Sequence, residues 1–283
     1  MNCWGSDRLQ GSSEYALYCV KHISYGRCRI EPEPFVFAIP LRAKAIARDW
    51  GRVSHLLACT LDSILNQTDP NFCVALACHD VPDLPILADS RISILRTEAP
   101  LPRDLKEQMQ DKQIKKRLAL AHLHELGGGW FMPVDSDDLV SRRLVNHVRQ
   151  TNPRFGFILD EGWEFDCVHQ GLRPAPRFNR LCGTSGIFRF TLDDLPNRAD
   201  QNEETLADAF KNHTHWRETA STAGRPLDLL GFRGAIYTTN NQENHSILVG
   251  DVGWKRRLTR IVSPLRRPSI AEVDEFSLRR LLG

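Results

Sequence analysis

Short, nearly unbroken apolar runs recur along the first half of the chain: Phe35–Leu41, Phe72–Cys78, Ile92–Leu95 and Trp130–Val134. Runs of this length without polar alternation predict strands buried on both faces of a largely parallel sheet. Between them the apolar spacing changes to that of a helix. Trp50, Val53, Leu56, Leu57, Leu61, Ile64 and Leu65 mark one face of a helix over Trp50–Leu65, broken by Gln67-Thr68-Asp69-Pro70. A second helix is predicted from Asp104 to Leu126, charged in its first half and stopped by Gly127-Gly128-Gly129. Strand, helix, strand, strand, helix, strand is the order of an α/β domain whose mostly parallel sheet is flanked by helices.

Beyond Val140 the pattern is weaker. A helix is expected from near Leu139 through Leu144–Val148, and a strand over Gly156–Asp160 with Glu161–Asp166 as its hairpin or continuation. The Arg- and Pro-rich residues 170–181 read as a loop. Ile187–Phe190 reads as a strand opened by Gly183-Thr184-Ser185-Gly186, Leu206–Ala220 as a helix, and Ala235–Thr239 as a strand leading into Asn240-Asn241-Gln242-Glu243-Asn244-His245-Ser246. The organisation expected is an irregular N-terminal arm (1–33), a first half-domain (34–150), a second half of the same domain (151–253) and a C-terminal tail, basic in its early part (254–283).

The chemistry gathers where the strand Trp130–Val134 ends. Asp135, Asp137 and Asp138 follow it within four positions. Like charges this crowded repel, and a hard cation such as Mg²⁺ or Mn²⁺ among them turns the repulsion into binding. Asp135 and Asp137 are two apart and share one side of an extended chain. A plainer reading makes Asp137 or Asp138 the N-cap of the helix expected from Leu139. Open sheets bind ligands beyond the carboxyl ends of their strands, where Pro40, Arg42, Asp80 and the acidic cluster are all predicted to lie. Arg42, Lys112, Lys115 and Arg117 are candidates for charge-assisted bonds to phosphate, with solvated surface charge as the alternative for each.

Composition narrows the class. The chain has 283 residues, 41% of them hydrophobic and 25% charged, with a formal charge of +2. That balance offers no case for a nucleic-acid partner. No stretch approaches the apolar length of a bilayer span, and the first thirty residues carry no apolar leader. The eight cysteines include no C-x-x-C pair, which argues against a zinc site. Cys59, Cys73 and Cys78 lie in apolar stretches and read as core residues. Reduced thiols without an export signal point to the cytoplasm. Lys255, Arg256, Arg257, Arg260, Arg266 and Arg267 among apolar residues of the tail suit peripheral contact with an anionic inner membrane face, where a lipid-linked acceptor would be met. A packed or solvated tail is the alternative, since Pro264 and Pro268 interrupt any long helix.

Thr60-Leu61-Asp62-Ser63-Ile64-Leu65-Asn66-Gln67-Thr68 before Asn71-Phe72 resembles the first helix and second strand of family 2-like GT-A glycosyltransferases. Lys115 through Gly129, followed by Val134-Asp135-Ser136-Asp137-Asp138-Leu139, resembles that family's helix and D-x-D motif. The resemblance covers about residues 35–150, is looser to 250, and is absent from 1–33 and beyond about 255. It implies transfer of a sugar from a nucleotide-diphosphate sugar to the hydroxyl of a glycan, lipid-linked or other acceptor, with inversion. It further implies that Asp135 faces ribose and metal, that Asp137 holds Mn²⁺ or Mg²⁺, that Asp80 lies near base and ribose beside Pro40, Arg42, Lys115 and Arg117, and that His245 is a further metal ligand. His79-Asp80 stands where the family commonly has Asp-Asp, and its Glu-Asp catalytic pair is not evident. An inverting transfer needs a base to take the acceptor proton. Asp160, Glu161, Asp193, Asp194 and Glu243 are the candidates, with Asp160 and Glu161 first because they follow an apolar strand. His213 and His215 read as surface or packing residues, and Trp163 as a packing residue or a platform for an acceptor sugar. Two other classes fit the pattern in part: a nucleotidyltransferase, against which the glycine-free Pro40-Leu41-Arg42-Ala43-Lys44-Ala45 counts, and a non-catalytic GT-A-like module that binds nucleotide or glycan.

Overall fold

The computed structural model describes residues 21–23, 33–243 and 263–282. In chain order the elements are β1 (Lys21–Ile23), β2 (Phe35–Pro40), α1 (Trp50–Leu65), β3 (Cys73–Cys78), β4 (Ile92–Arg96), α2 (Leu105–Glu125), β5 (Gly129–Pro133) and β6 (Leu139–Val140). There follow α3 (Leu144–Thr151), β7 (Gly156–Ile158), β8 (Glu161–Asp166), β9 (Gly171–Pro176), β10 (Gly186–Phe190), α4 (Trp216–Thr222), β11 (Asp228–Leu229), β12 (Ala235–Thr239), α5 (Ile270–Phe276) and α6 (Arg279–Leu282).

Eight strands form the main sheet in the order β1-β4-β3-β2-β5-β10-β7-β11. β4, β3, β2 and β5 run parallel, while β10 is antiparallel to both β5 and β7. The unbroken apolar strands are buried on both faces, as their composition requires. Phe35, Phe37 and Ile39 of β2 face α1 and pack with Val53, Leu57 and Leu61; Val36 and Ala38 face α2 and pack with Leu118 and Leu123. This is the α/β arrangement expected from the sequence, with a largely parallel run of central strands flanked by helices.

The helix ends follow local chemistry. Asp49 caps α1 by accepting from the Arg52 N–H at 3.1 Å, and Asp104 caps α2 by accepting from the Glu107 N–H at 2.8 Å. The stop after α2 needs its glycines. Gly128 has φ +85°, and Gly129 has φ +130° with the Pro34 carbonyl oxygen 2.4 Å from where a Cβ would stand. That turn sends β5 straight into the middle of the sheet.

Four sequence expectations change. Leu139–Val140 do not open a helix: they pair with Ile236 and Ala235 of β12, and α3 begins at Leu144 after Arg143, which makes no side-chain cap. The acidic residues therefore cap no helix. Residues 171–176 are a strand rather than a loop. Pro174 and Pro176 have no N–H to donate, which an edge strand tolerates, and β9 lies at the edge of a second sheet ordered β6-β12-β8-β9. The expected helix over Leu206–Ala220 is broken into 3₁₀ turns at Ala207–Ala209 and His213–His215 before α4. Within the stretch read as an irregular arm, Lys21–Ile23 pair antiparallel with β4.

The tail is also different where it is described. Arg266 exchanges two backbone hydrogen bonds with Leu172 of β9, at 2.8 and 2.9 Å, and its guanidinium lies 4.9 Å from the Trp163 ring. Phe276 and Leu278, 1% and 0% exposed, complete a cluster with Cys59, Leu139, Phe165, Leu172 and Ile236. Arg280 pairs with Asp62 of α1. Residues 263–282 thus pack on the second sheet, and 254–262 lie outside the described residues. Among the described residues no helix is long and apolar enough to cross a membrane.

Ser269 and Glu272 form a capping box at the start of α5. The Arg266 guanidinium hydrogen-bonded to Glu272 holds that carboxyl at about 2. A depressed carboxylate stabilises the fold above its unfolded value, about 4.3, and the contribution is lost as pH falls through the folded value. Amide protection in α5 is therefore expected to fall between about pH 4 and pH 2, earlier than that of β2 and β3. Hydrogen exchange across that range checks it, and equal acid sensitivity in Glu272→Gln would remove this ion pair as the cause.

Candidate functional site

The parallel strands all deliver their carboxyl ends to one edge, and a cleft of about 470 Å³ opens there. Pro40 and Arg42 line it from the end of β2, Gln108, Lys112 and Lys116 from α2, and Asp135 and Asp137 from beyond β5. His213, Tyr237 and Glu243 close the remaining sides.

The three aspartates have three different surroundings. Asp135 makes an ion pair with Lys112 at 2.6 Å, and its backbone N–H donates to Thr184 Oγ1 at 2.9 Å. Burial pushes its carboxyl up, but the Lys112 ammonium outweighs that and holds it below the ordinary carboxylate value. Asp137 accepts from Asn241 Nδ2 at 2.7 Å. Burial, then the charge of Asp135, pushes its carboxyl up to about 6. Asp138 is fully buried and accepts from Thr184 Oγ1 at 2.7 Å, Cys182 Sγ at 2.9 Å and the Thr238 N–H at 3.2 Å. Burial and the two neighbouring carboxylates push it well up. The third carboxylate thus ties β5, the Cys182–Thr184 turn and β12 together beneath the cleft.

Asn241 and Glu243, just past β12, reach back over the edge. Glu243 takes Arg42 at 2.6 Å and the Asp49 N–H at 2.8 Å, and its own N–H donates to Asn241 Oδ1 at 3.0 Å. This chain of bonds runs from Arg42 through Glu243 and Asn241 to Asp137.

The remaining candidates are placed as follows. Asp80 follows β3 and accepts the Lys44 N–H at 2.9 Å, outside the cleft lining. Lys115 is 1% exposed, donating to the Leu41 carbonyl at 2.8 Å and to Asp111 at 2.5 Å, and His79 Nε2 lies 2.8 Å from the other oxygen of Asp111. That group anchors α2 to the strand ends at the floor of the cleft, which Leu41, Asp111 and Lys115 line. Arg117 points away, toward the Glu203 carbonyl at 2.7 Å and Asp208 at 3.4 Å. Asp160 follows β7, two strands from β5 on the same edge of the sheet, and neither it nor Glu161 lines the cleft. Glu161 is exposed, with Arg233 at 3.5 Å. Asp194 is taken up by Arg225 and Thr191, and Asp193 is exposed. Trp163 is 8% exposed and lies between the guanidiniums of Arg233 and Arg266. His245 lies outside the described residues.

Sequence reasoning did not single out Asn241, Lys116 or the placement of His213 in the cleft. For Asn241 the available signal was its position just beyond a strand on a polar loop. Lys116 lies one helical turn after Lys112, so both share one face of α2. His213 has no local signal for the cleft, because its surroundings carry the pattern of a continuous helix and the structure breaks them into a 3₁₀ turn.

Among the described residues, no three His, Cys, Asp or Glu side chains are grouped to hold a metal ion. The residues present nonetheless fit a Mg²⁺-type ion, which takes one or two protein carboxylates and completes its shell with water and phosphate. Asp137 opens on the cleft with its carboxyl raised by burial and by a neighbouring charge, the condition that a cation relieves.

No protein-family model matches the chain, and no curated protein matches it. Among solved structures, TarS of S. aureus is similar at 12% sequence identity and a TM-score of 0.42, over 73% of this chain and 36% of that one. The chain therefore matches little more than a third of the length of TarS.

Proposed function

We propose that the protein is a metal-dependent glycosyltransferase that moves a sugar from a nucleotide-diphosphate sugar to an acceptor hydroxyl with inversion. The observation that carries the proposal is the pairing of Asp135 and Asp137 at the carboxyl end of the central parallel strand, both opening on one cleft beside Lys112 and Arg42. Asp137 would hold Mn²⁺ or Mg²⁺, which supplies Lewis-acid neutralisation of the leaving diphosphate. Asp135, fixed by Lys112 and Thr184, orients the donor's ribose. Arg42 is kept on the cleft wall by Glu243, and Pro40 shapes the nucleotide end. Asp80 sits at the outer rim on that side, and Lys115 keeps α2 seated so that Lys112 meets Asp135. Asp160, on the same edge two strands away, takes the acceptor proton, with Glu161 beside it. A glycan or lipid-linked hydroxyl is the acceptor class.

The test is a thermal-shift screen of nucleoside diphosphates and nucleotide sugars with and without Mn²⁺. Binding at a hundredfold excess over Kd stabilises by about 2.7 kcal/mol. A metal-dependent shift with a nucleoside diphosphate, followed by its release from the matching sugar donor, is the expected result. Binding without turnover would make the protein a binding module. Release of nucleoside monophosphate and sugar phosphate would replace glycosyl transfer with another reaction. Asp160→Asn is expected to leave the shift unchanged and to lower turnover by about a hundredfold or more, the scale of a lost general base.

A further inference from the structure

The charges lining the cleft mostly neutralise one another. Arg42 is matched by Glu243, Lys112 by Asp135 and Lys115 by Asp111, while Lys211 pairs with Glu204. Lys116 is the exception. It lines the cleft one turn after Lys112, and among the described residues it makes no hydrogen bond and no salt bridge. Its ammonium lies 5.8 Å from the Trp216 ring, which is 1% exposed. His213 meets the same ring edge-on at 6.1 Å. Trp216 thus holds a half-buried cation and an imidazole together on the wall beside Asp135.

We infer that Lys116, backed by Lys112 and His213, forms an oxyanion subsite that takes a phosphate group through protein cations rather than through a bound metal. The inference deepens the proposed donor cleft and rests on that reading for its phosphate source, although the subsite itself stands on the placement of Lys116, Lys112 and His213 on one cleft wall. A partly buried ammonium that feels Asp135 only at longer range, with no hydrogen-bonded acceptor among the described residues, is costly, and a phosphate oxygen supplies such an acceptor. Consistent with this, burial and the charge of Lys112 pull the Lys116 amine down to about 8 against the attraction of Asp135, and a second anion beside it would add to that attraction. Lys112 offers its remaining N–H donors alongside, and His213 bounds the group on the far side. Two sources carry the same chemistry: the diphosphate of a nucleotide donor, or a phosphate on the acceptor.

Calorimetric titration of the whole protein with inorganic pyrophosphate, in EDTA at pH 7, tests the subsite. Pyrophosphate is expected to bind without metal, to lose about tenfold or more of its affinity in Lys116→Met, and to keep most of it in Lys116→Arg. Near-unchanged thermal unfolding of Lys116→Met without ligand shows that the loss is not one of folding. No binding in EDTA, or equal affinity in Lys116→Met, overturns the inference. Saturating uridine, guanosine or thymidine diphosphate, added with Mn²⁺ in place of EDTA, then separates the sources. Displacement of pyrophosphate assigns the subsite to the donor, and binding of the nucleoside diphosphate alongside pyrophosphate assigns it to a phosphorylated acceptor. If no nucleoside diphosphate binds even with Mn²⁺ present while metal-free pyrophosphate binding still depends on Lys116, the glycosyltransferase reading fails and the subsite stands.

Discussion

Asp137→Asn should abolish the Mn²⁺-dependent stabilisation by nucleoside diphosphate and, at neutral pH, make the metal-free protein more stable. The two effects have one cause. Asp137 is held among buried groups beside Asp135, which raises its carboxyl to about 6. An acid with a raised value binds its proton more tightly folded than unfolded. Stability therefore falls as pH rises from about 4, the ordinary carboxylate value, to about 6. Above that range the charged group costs stability on the order of 1–3 kcal/mol, and the amide does not. The variant retains a side chain of the same shape beside Asn241, but it offers metal a weak neutral oxygen in place of a carboxylate. Urea unfolding between pH 4 and pH 8 in EDTA should show the wild type losing stability across that window and the variant losing less. Turnover should fall by about a thousandfold or more, on the scale of a removed electrostatic contact in a transition state. A folded Asp137→Asn protein with an undiminished Mn²⁺ requirement would sink the metal assignment.

Asp138→Ala is expected to behave in the opposite way, damaging the fold and with it the site. The Asp138 carboxyl accepts from Thr184, Cys182 and the Thr238 N–H in a fully buried setting. Removing it orphans donors at about 1–3 kcal/mol each, less for the weak thiol, and relief of repulsion with Asp135 and Asp137 offsets part of this. A net loss of about 3 kcal/mol is expected, with a lower urea midpoint and an unchanged m-value. Asp138→Asn should cost less, because the raised carboxyl is already biased toward a neutral form of the same shape. If Asp138→Ala unfolds at the wild-type midpoint while losing metal dependence, Asp138 belongs to the metal site and not to the scaffold.

These variants divide an acidic cluster that looks uniform along the chain. The sequence makes the β5 rim legible because burial there is local: an apolar run ends and carboxylates begin. β2, α1, β3, β4 and α2 are legible for the same reason, each stating its own period. What the sequence does not show is which neighbours the rim acquires. Asn241 lies 104 positions from Asp137 and Glu243 lies 201 from Arg42, distances over which no periodicity operates. The second sheet is hidden by a different effect. β9 takes its place by edge pairing and burial against Leu265 and Trp163's strand, and these outweigh the turn preference of Pro174 and Pro176. Lys115 and Arg117 show the limit of counting charge on a helix: neighbours in sequence, one faces inward to Asp111 and the other outward to Glu203.

The docking of α5 and the following residues has a consequence for biosynthesis. Phe276 and Leu278 cover Phe165 of β8 and Leu172 of β9, yet they leave the ribosome about a hundred residues later. At roughly 5–20 residues per second that interval is on the order of ten seconds. During it the apolar face of the second sheet is uncovered, with β9 as an unpaired edge. The two prolines and Arg173 on that edge are the features that discourage pairing with another nascent chain. Replacing Pro174 and Pro176 with strand-forming residues would then raise aggregation during synthesis while leaving the stability of the finished protein largely unchanged, so ribosome-associated chaperones would feel the change before any denaturant did.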